Sequence, residues 1–293
     1  MSTAAVPRIW FVTGSSRGFG RALVTAALTA GDAVAATARR PEQLADLAEH
    51  HGDRILPLAL DVTDAAAAAA AITAARDRFG RIDVVVNNAG YANVSPIETA
   101  DDADFRAQFE TNFWGVYHVS KAAIPVLRAQ GGGLIVQFSS MGGRVGGSAG
   151  IASYQAAKFA IDGFSRVLLA ETAPFGVKVV VVEPSGFATD WAGASMEVAG
   201  IPDDYADTVG RMSAIRESAA VTAGDPARAA EILVRLSRRN DIPYHLPLGV
   251  NAVEGSIRLD ETLLAGDRRW AAVGRSADFA EPYPVDFPPD TAD

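Results

Sequence analysis

Tyr154 and Lys158 stand four residues apart in Ser153-Tyr154-Gln155-Ala156-Ala157-Lys158. The apolar residues that follow, Phe159, Ile161, Phe164, Val167 and Leu168, recur at roughly helical spacing. On a helix, positions i and i+4 share a face, so an ammonium would lie one turn from a phenol. A nearby cation favours the phenolate and lowers the tyrosine pKa from its usual value of about 10. That is what a phenol needs to take part in proton transfer near neutral pH. Taken alone, Tyr-x-x-x-Lys arises by chance in many helices, as a half-buried tyrosine beside a solvated lysine. What the rest of the chain places next to the pair decides between the two readings.

Residues 9–13 are a continuous apolar run ended by glycine, the pattern of a strand buried on both faces. Gly14-Ser15-Ser16-Arg17-Gly18-Phe19-Gly20 follows, and residues 21–30 are strongly helix-forming. In this strand, glycine loop and helix, the glycines bring the backbone close to a pyrophosphate. The helix N-terminus offers free N–H groups and a positive dipole end. The loop follows the first strand of a βα repeat, where a dinucleotide motif belongs. A second strand, 33–38, runs into Arg39-Arg40-Pro41. An acidic residue here would bond the ribose 2′-hydroxyl of NAD; the sequence has none, and Arg39 with Arg17 could instead grip a 2′-phosphate. A charge-assisted hydrogen bond is worth about 1.5–3 kcal/mol, about tenfold to a hundredfold in discrimination. The reading favours NADP (NADPH), with NAD as the alternative, and leaves Arg40 in solvent.

The rhythm continues. Residues 54–60 read as a third strand, followed by Asp61-Val62, and 64–78 as a helix with Asp64 as its N-cap and an alanine run from Ala65. A fourth strand, 82–86, ends in Asn87-Asn88-Ala89-Gly90. Residues 101–128 read as one long helix containing Asn112 and kinked at Pro125. Strand 133–138 ends in Ser139-Ser140, and strand 177–182 ends in Glu183-Pro184-Ser185-Gly186. Residues 245–249 look like a short seventh strand, and 226–239 and 253–265 like helices. No linker interrupts the series. The expectation is a single α/β domain over 1–293, a Rossmann-like doubly wound parallel sheet of about seven strands with helices on both faces. In such folds ligands lie beyond the carboxyl ends of the strands, and Gly14, Asn88, Ser140 and the Pro184 turn all fall there.

Composition narrows the function. The chain has 293 residues, 49% hydrophobic and 21% charged, with a net charge of −9 and no cysteine. Disulfides and thiolate metal sites are impossible, and the scattered His50, His51, His118 and His245 show no metal-ligand spacing, so no metal is assigned. A pI of about 5.0 argues against nucleic-acid and anionic-membrane surfaces. With no signal peptide and no transmembrane run, a cytoplasmic protein acting on a small molecule is expected.

Together these residues resemble the short-chain dehydrogenase/reductase family. Thr13-Gly14-x-x-x-Gly18-x-Gly20 is similar to its cofactor loop and Asn87-Asn88-Ala89-Gly90 to its central motif. Asn112, Ser140, Tyr154 and Lys158 resemble its catalytic four; the similarity spans residues 7–191. The resemblance implies an NAD(P)-dependent enzyme of the compact one-domain subfamily, commonly a homodimer or homotetramer. It implies cofactor contacts from Gly14, Ser16, Arg17, Gly18, Phe19 and Gly20, from Arg39, Asp61 and Val62, and from Asn88, Ala89 and Gly90. Tyr154, Lys158, Pro184, Gly186 and Thr189 complete the set, with Asp61-Val62 against adenine and Thr189 at the nicotinamide carboxamide. The segment between Ser140 and Tyr154 is one residue longer than usual, and Ser140 is assigned over Ser139. Ser185 stands where many members have glycine.

On this reading Tyr154 gives a proton to a carbonyl oxygen, or takes one from an alcohol. Lys158 lowers its pKa and holds the nicotinamide ribose. Ser140 orients the substrate oxygen, and Asn112 fixes a water linked to Lys158. Residues 191–221 break the α/β rhythm with Trp191, Met196, Ile201, Tyr205, Met212 and Ile215; they read as a substrate lid suited to a lipophilic carbonyl or alcohol. The proline- and aspartate-rich tail, 281–293, is expected along a partner subunit or disordered.

Overall fold

The structure is a computed structural model that describes residues 6–189, 196–218 and 224–289. Seven strands make one parallel sheet: β1 (Ile9–Val12), β2 (Ala33–Ala38), β3 (Ile55–Ala59), β4 (Val84–Asn87), β5 (Gly133–Phe138), β6 (Val177–Pro184) and β7 (His245–Leu248). Their order is β3-β2-β1-β4-β5-β6-β7. The chain turns from one half of the sheet to the other between β1 and β4, which opens a crevice at their carboxyl ends. The expected fold class is therefore present, with every strand within about two residues of its predicted limits.

Alternation along each strand feeds two cores. In β1, Trp10 and Val12 share a core with α1 (Gly18–Thr29), α2 (Ala45–His51) and α8 (Pro226–Leu236), and Phe11 faces the opposite side. That second core is closed by α3 (Ala65–Phe79), α5 (Gly115–Ala129) and α6 (Ala152–Thr172). Each large apolar side chain so buried stabilises the fold by about 1.5–3 kcal/mol. The alanine run of α3 is helical because Asp64 caps it, accepting from Ala66 N at 2.8 Å and Ala67 N at 2.9 Å. Ala68, Ala71 and Ala75 then lie buried against the sheet.

Two buried carboxylates fasten the amino ends of the strands. Asp32 accepts from Arg8 N (2.9 Å), Trp10 Nε1 (2.8 Å) and the Arg238 guanidinium (2.8 Å). Asp83 accepts from Ile9 N (2.8 Å) and from Arg81.

Three departures from the sequence reading matter. The long helix is α4 (Asp102–Phe109), a π turn (Glu110–Trp114) and α5; Pro125 sits inside α5, which continues to Ala129. The irregularity thus falls at Asn112, not at the proline. The final helix, α9 (Val250–Arg275), is much longer than 253–265. The described part of the tail folds back on it: Phe287 lies 5.9 Å from Trp270 and Arg269 bonds Pro289 O. Between β6 and α8, helix α7 (Arg211–Ser218) lies within residues 191–221. Trp191 and Val221 lie outside the described residues, as does the side chain of Ile215.

Candidate active site

The carboxyl ends of β1 and β4 are stitched together. Thr13 Oγ1 donates to Val86 O (3.2 Å) and accepts from Asn88 N (2.9 Å) and Ala89 N (3.1 Å). Asn88 Nδ2 donates back to Thr13 O (2.9 Å) and Gly14 O (3.2 Å). Gly14 has φ +67°, and a Cβ there would stand 2.9 Å from Ala89 Cα. Only glycine serves there, because the left-handed backbone and the close approach both exclude a side chain. Ser16 lies half-buried in the loop, with Gly18 and Gly20 at the start of α1. Phe19 points into the body, 4.8 Å from Phe187 and 5.4 Å from Phe138 between ring centres. It anchors the loop to the ends of β5 and β6. Thr189 sits over Gly18, with its Cβ 3.6 Å from where a Cβ on that glycine would be.

Around the rim, Arg17 and Arg39 are exposed, and neither side chain hydrogen-bonds or ion-pairs among the described residues. Asp61 accepts from Thr63 N (3.0 Å) and Thr63 Oγ1 (2.8 Å). The Thr63 amide first, then its hydroxyl and the charge of Arg39, hold this carboxylate below its usual pKa. Val62 is buried; its side chain packs on Gly115 and its carbonyl oxygen lies 3.1 Å from His118 Nδ1. The Pro184 turn is closed by Gly224, whose N–H donates to Gly186 O (2.9 Å) and whose oxygen accepts from Ala188 N (2.9 Å). Ser185 Oγ donates to Leu248 O (3.3 Å), tying this residue to β7.

Tyr154 and Lys158 are neither half-buried nor solvated: they are 7% and 4% exposed. The Tyr154 hydroxyl is hydrogen-bonded to Ser140. Ser139 turns away and donates to Lys158 O (3.1 Å), so geometry separates the two serines. Lys158 Nζ donates to Phe138 O (2.7 Å) and lies 5.5 Å from the centre of the Tyr154 ring. Asn112, fully buried in the π turn, clamps the backbone of Tyr91: its Nδ2 donates to Tyr91 O (2.8 Å) and its Oδ1 accepts from Tyr91 N (3.1 Å). π turns concentrate at functional sites. Gly90 lies between Asn112 and Lys158; a Cβ there would be 2.5 Å from Asn112 Oδ1 and 3.5 Å from Lys158 Nζ.

The titration of the pair runs opposite to the sequence-based expectation. Burial pushes the Tyr154 phenol up to about 12, against the hydrogen bond from Ser140. Burial pulls Lys158 down from 10.5 to about 7. In the protein alone, desolvation outweighs any help the lysine gives the phenolate.

Above Tyr154 an apolar cluster of Ala92, Val94, Ile151 and Val209 is joined by Met196, Ile201 and Tyr205 from the segment after β6. That segment pairs with the strap after β4 through a bridge between Val94 and Val198, and Tyr205 donates to Glu98 (2.5 Å). Several positioning groups had no local signature. Ser120 Oγ (3.0 Å) and Gln137 Oε1 (2.8 Å) accept from Asn87, itself part of the asparagine turn, beneath the site. Buried Glu183 bonds Arg144 (3.1 Å) and lies 2.6 Å from His245 Nδ1. Thr13, by contrast, adjoins the first loop glycine and was legible as part of the motif.

The site thus presents a glycine cradle at the sheet's switch point, two rim cations without a hydrogen bond or ion pair among the described residues, and half-buried Ser140 against buried Tyr154 and Lys158. The sequence profile described as short chain dehydrogenase matches residues 8–198, and the chain belongs to the short-chain dehydrogenase/reductase family of NAD(P)-dependent oxidoreductases. An oxidoreductase of Botryotinia fuckeliana, BOA17, is 47% identical over 265 residues, which is 90% of this chain and 96% of that protein. A 3-ketodihydrosphingosine reductase of Bacteroides thetaiotaomicron is 32% identical, over 90% and 93% of the two chains. A short-chain dehydrogenase from Streptomyces avermitilis is similar in structure, with a TM-score of 0.87 and 35% identity over 94% of this chain and 100% of that one. Among the described residues no helix is long and apolar enough to cross a membrane.

Proposed function

We propose that the protein is an NADP-dependent reductase of a lipophilic carbonyl compound, able to run in reverse on the alcohol. The observation that carries this reading is the buried Tyr154 phenol, hydrogen-bonded to Ser140 beneath an apolar lid. The dinucleotide fits the cradle: Gly14 leaves the gap that a Cβ would fill, and the exposed Arg17 and Arg39 side chains have no hydrogen bond or ion pair among the described residues. Gly14, Ser16, Gly18 and Gly20 would hold the pyrophosphate, and Arg17 and Arg39 a 2′-phosphate. Asp61, Val62, Asn88, Ala89, Gly90, Pro184, Gly186 and Thr189 would border the rest. When bound, the nicotinamide supplies or accepts the hydride.

The chain supplies the proton and the geometry. Ser140 donates to the substrate oxygen and orients the carbonyl. Tyr154, held protonated by burial, gives its proton to that oxygen, which favours the reductive direction. Lys158, close to neutral titration, responds to the proton deficit on the phenolate. Asn112 fixes the Tyr91 backbone and positions a water between itself and Lys158. Met196, Ile201 and Tyr205 supply an apolar roof, and the Bacteroides relative, named for reduction of 3-ketodihydrosphingosine, supports a lipophilic ketone. Exposed Trp114, Phe159 and Val167 support a homodimer or homotetramer, and the acidic, cysteine-free composition fits a cytoplasmic enzyme.

The test is turnover of NADPH and NADH against a panel of ketones, aldehydes and alcohols. Tyr154→Phe should lower kcat/KM by about 10²–10⁴; equal rates in the two proteins would overturn the mechanism. Arg39→Ala should weaken NADPH by about tenfold to a hundredfold and leave NADH nearly unchanged. An unchanged NADPH dissociation constant would shift the reading to NAD.

A further inference from the structure

The strap after β4, residues 91–94, is gripped from two sides. Asp104, Gln108 and Asn112 recur at intervals of four and share one face of α4 and the π turn. All three engage the strap or each other. Asn112 holds both backbone groups of Tyr91. Gln108, itself buried, accepts from Asn93 N (3.0 Å) and donates to Asp104 (2.8 Å). Asp104 accepts from Asn93 Nδ2 (2.7 Å). From the other side comes the lid. Asn93 Oδ1 accepts from Glu197 N (3.0 Å). Next to it, Val94 N donates to Glu197 O (2.8 Å) and Val94 O accepts from Ala199 N (2.9 Å).

Among the described residues, the Asn93 side chain therefore bonds both the helix that leads to Asn112 and the lid. Its amide is used at both ends, Nδ2 toward α4 and Oδ1 toward the lid. Met196, immediately before Glu197, packs against the apolar cluster that contains Val94 and Tyr154. Where the strap sits fixes where that cluster sits over the phenol.

We infer that Asn93 is a positioning and specificity-determining residue: it sets the inner edge of the substrate lid in register with the helix that carries Asn112. The role in substrate selection rests on the reductase reading above; the anchoring of the lid does not. Asn93→Ala removes both bonds. The swap Asn93→Asp with Asp104→Asn restores them. The new carboxylate at 93 accepts from Glu197 N and from the new amide at 104, whose oxygen accepts from Gln108.

Hydrogen exchange on the intact protein tests the anchoring without turnover. In Asn93→Ala the Glu197 and Ala199 amides should exchange at least tenfold faster while core amides such as Ile135 and Val180 are unchanged; the double variant should return to the wild-type rate. Unchanged lid exchange, an equal acceleration in the core, or no rescue by the swap would each overturn the proposal. With a ketone from the panel that the wild type reduces, Asn93→Ala should lower kcat/KM about tenfold, leave the NADPH dissociation constant within twofold, and be rescued by the swap. A loosened lid with unchanged kcat/KM would overturn the role in selection. Absence of turnover on every compound by the wild type would count against the reductase reading, and the exchange result would still decide the anchoring.

Discussion

Lys158 makes the protein less stable than it need be, and Lys158→Met should show it. The ammonium is buried and its pKa is drawn from 10.5 to about 7. At about 1.4 kcal/mol per pH unit that displacement amounts to about 5 kcal/mol for keeping the charged form folded. The sign follows from proton binding. Between pH 7 and 10.5 the unfolded chain holds this proton and the folded chain does not, so stability rises with pH across that window and the cost is nearly full below it. At pH 6.5 the cost is about 5 kcal/mol and at pH 10 about 1 kcal/mol. Methionine fills similar space without charge but leaves Phe138 O, now bonded at 2.7 Å, without its donor, a loss of about 1–3 kcal/mol. Urea unfolding should therefore find Lys158→Met more stable than wild type by about 2–4 kcal/mol at pH 6.5 and equal or less stable at pH 10. Turnover should be lost at both pH values. A variant no more stable at pH 6.5, or a difference that does not move with pH, would refute the reasoning.

Ser140→Ala should lower kcat/KM about a hundredfold, whereas Ser139→Ala, which loses only a bond to Lys158 O, should cost about 1 kcal/mol of stability and little activity, measured by kinetics and urea titration. Asp32→Ala strands the three donors that this buried carboxylate serves and should destabilise by about 3–5 kcal/mol, seen as a lower urea midpoint with unchanged NADPH affinity below the transition.

The sheet was legible because its signals are local. Apolar runs such as 133–138 and 177–182, closed by turn residues, define strands buried on both faces wherever they occur. The glycine loop, Asn88, Ser140, Tyr154 and Lys158 were found because each sits at a strand end or one helical turn from another. Asn112 was placed on a helix, but the π turn was not foreseen: one widened turn leaves no mark on a 3.6-residue pattern, and Pro125, the visible helix breaker, drew the expectation instead. The protonation states were also hidden. Spacing shows that a lysine neighbours a phenol, yet whether charge or desolvation prevails depends on burial, which only the folded chain defines. Asp32 with Arg238, and Glu183 with Arg144 and His245, join residues from distant parts of the chain, and no window along the sequence contains both partners.

The two carboxylates at the amino ends of the strands have a bearing on how such a protein changes over generations. Asp32 and Asp83 secure the starts of β1, β2 and β4 on the side of the sheet away from Tyr154. Loops at the opposite end can then lengthen, shorten or exchange side chains while the strands keep their register. Changes in the strap and in the segment after β6 then carry little risk to folding, because the framework is tied off at the opposite end of the sheet.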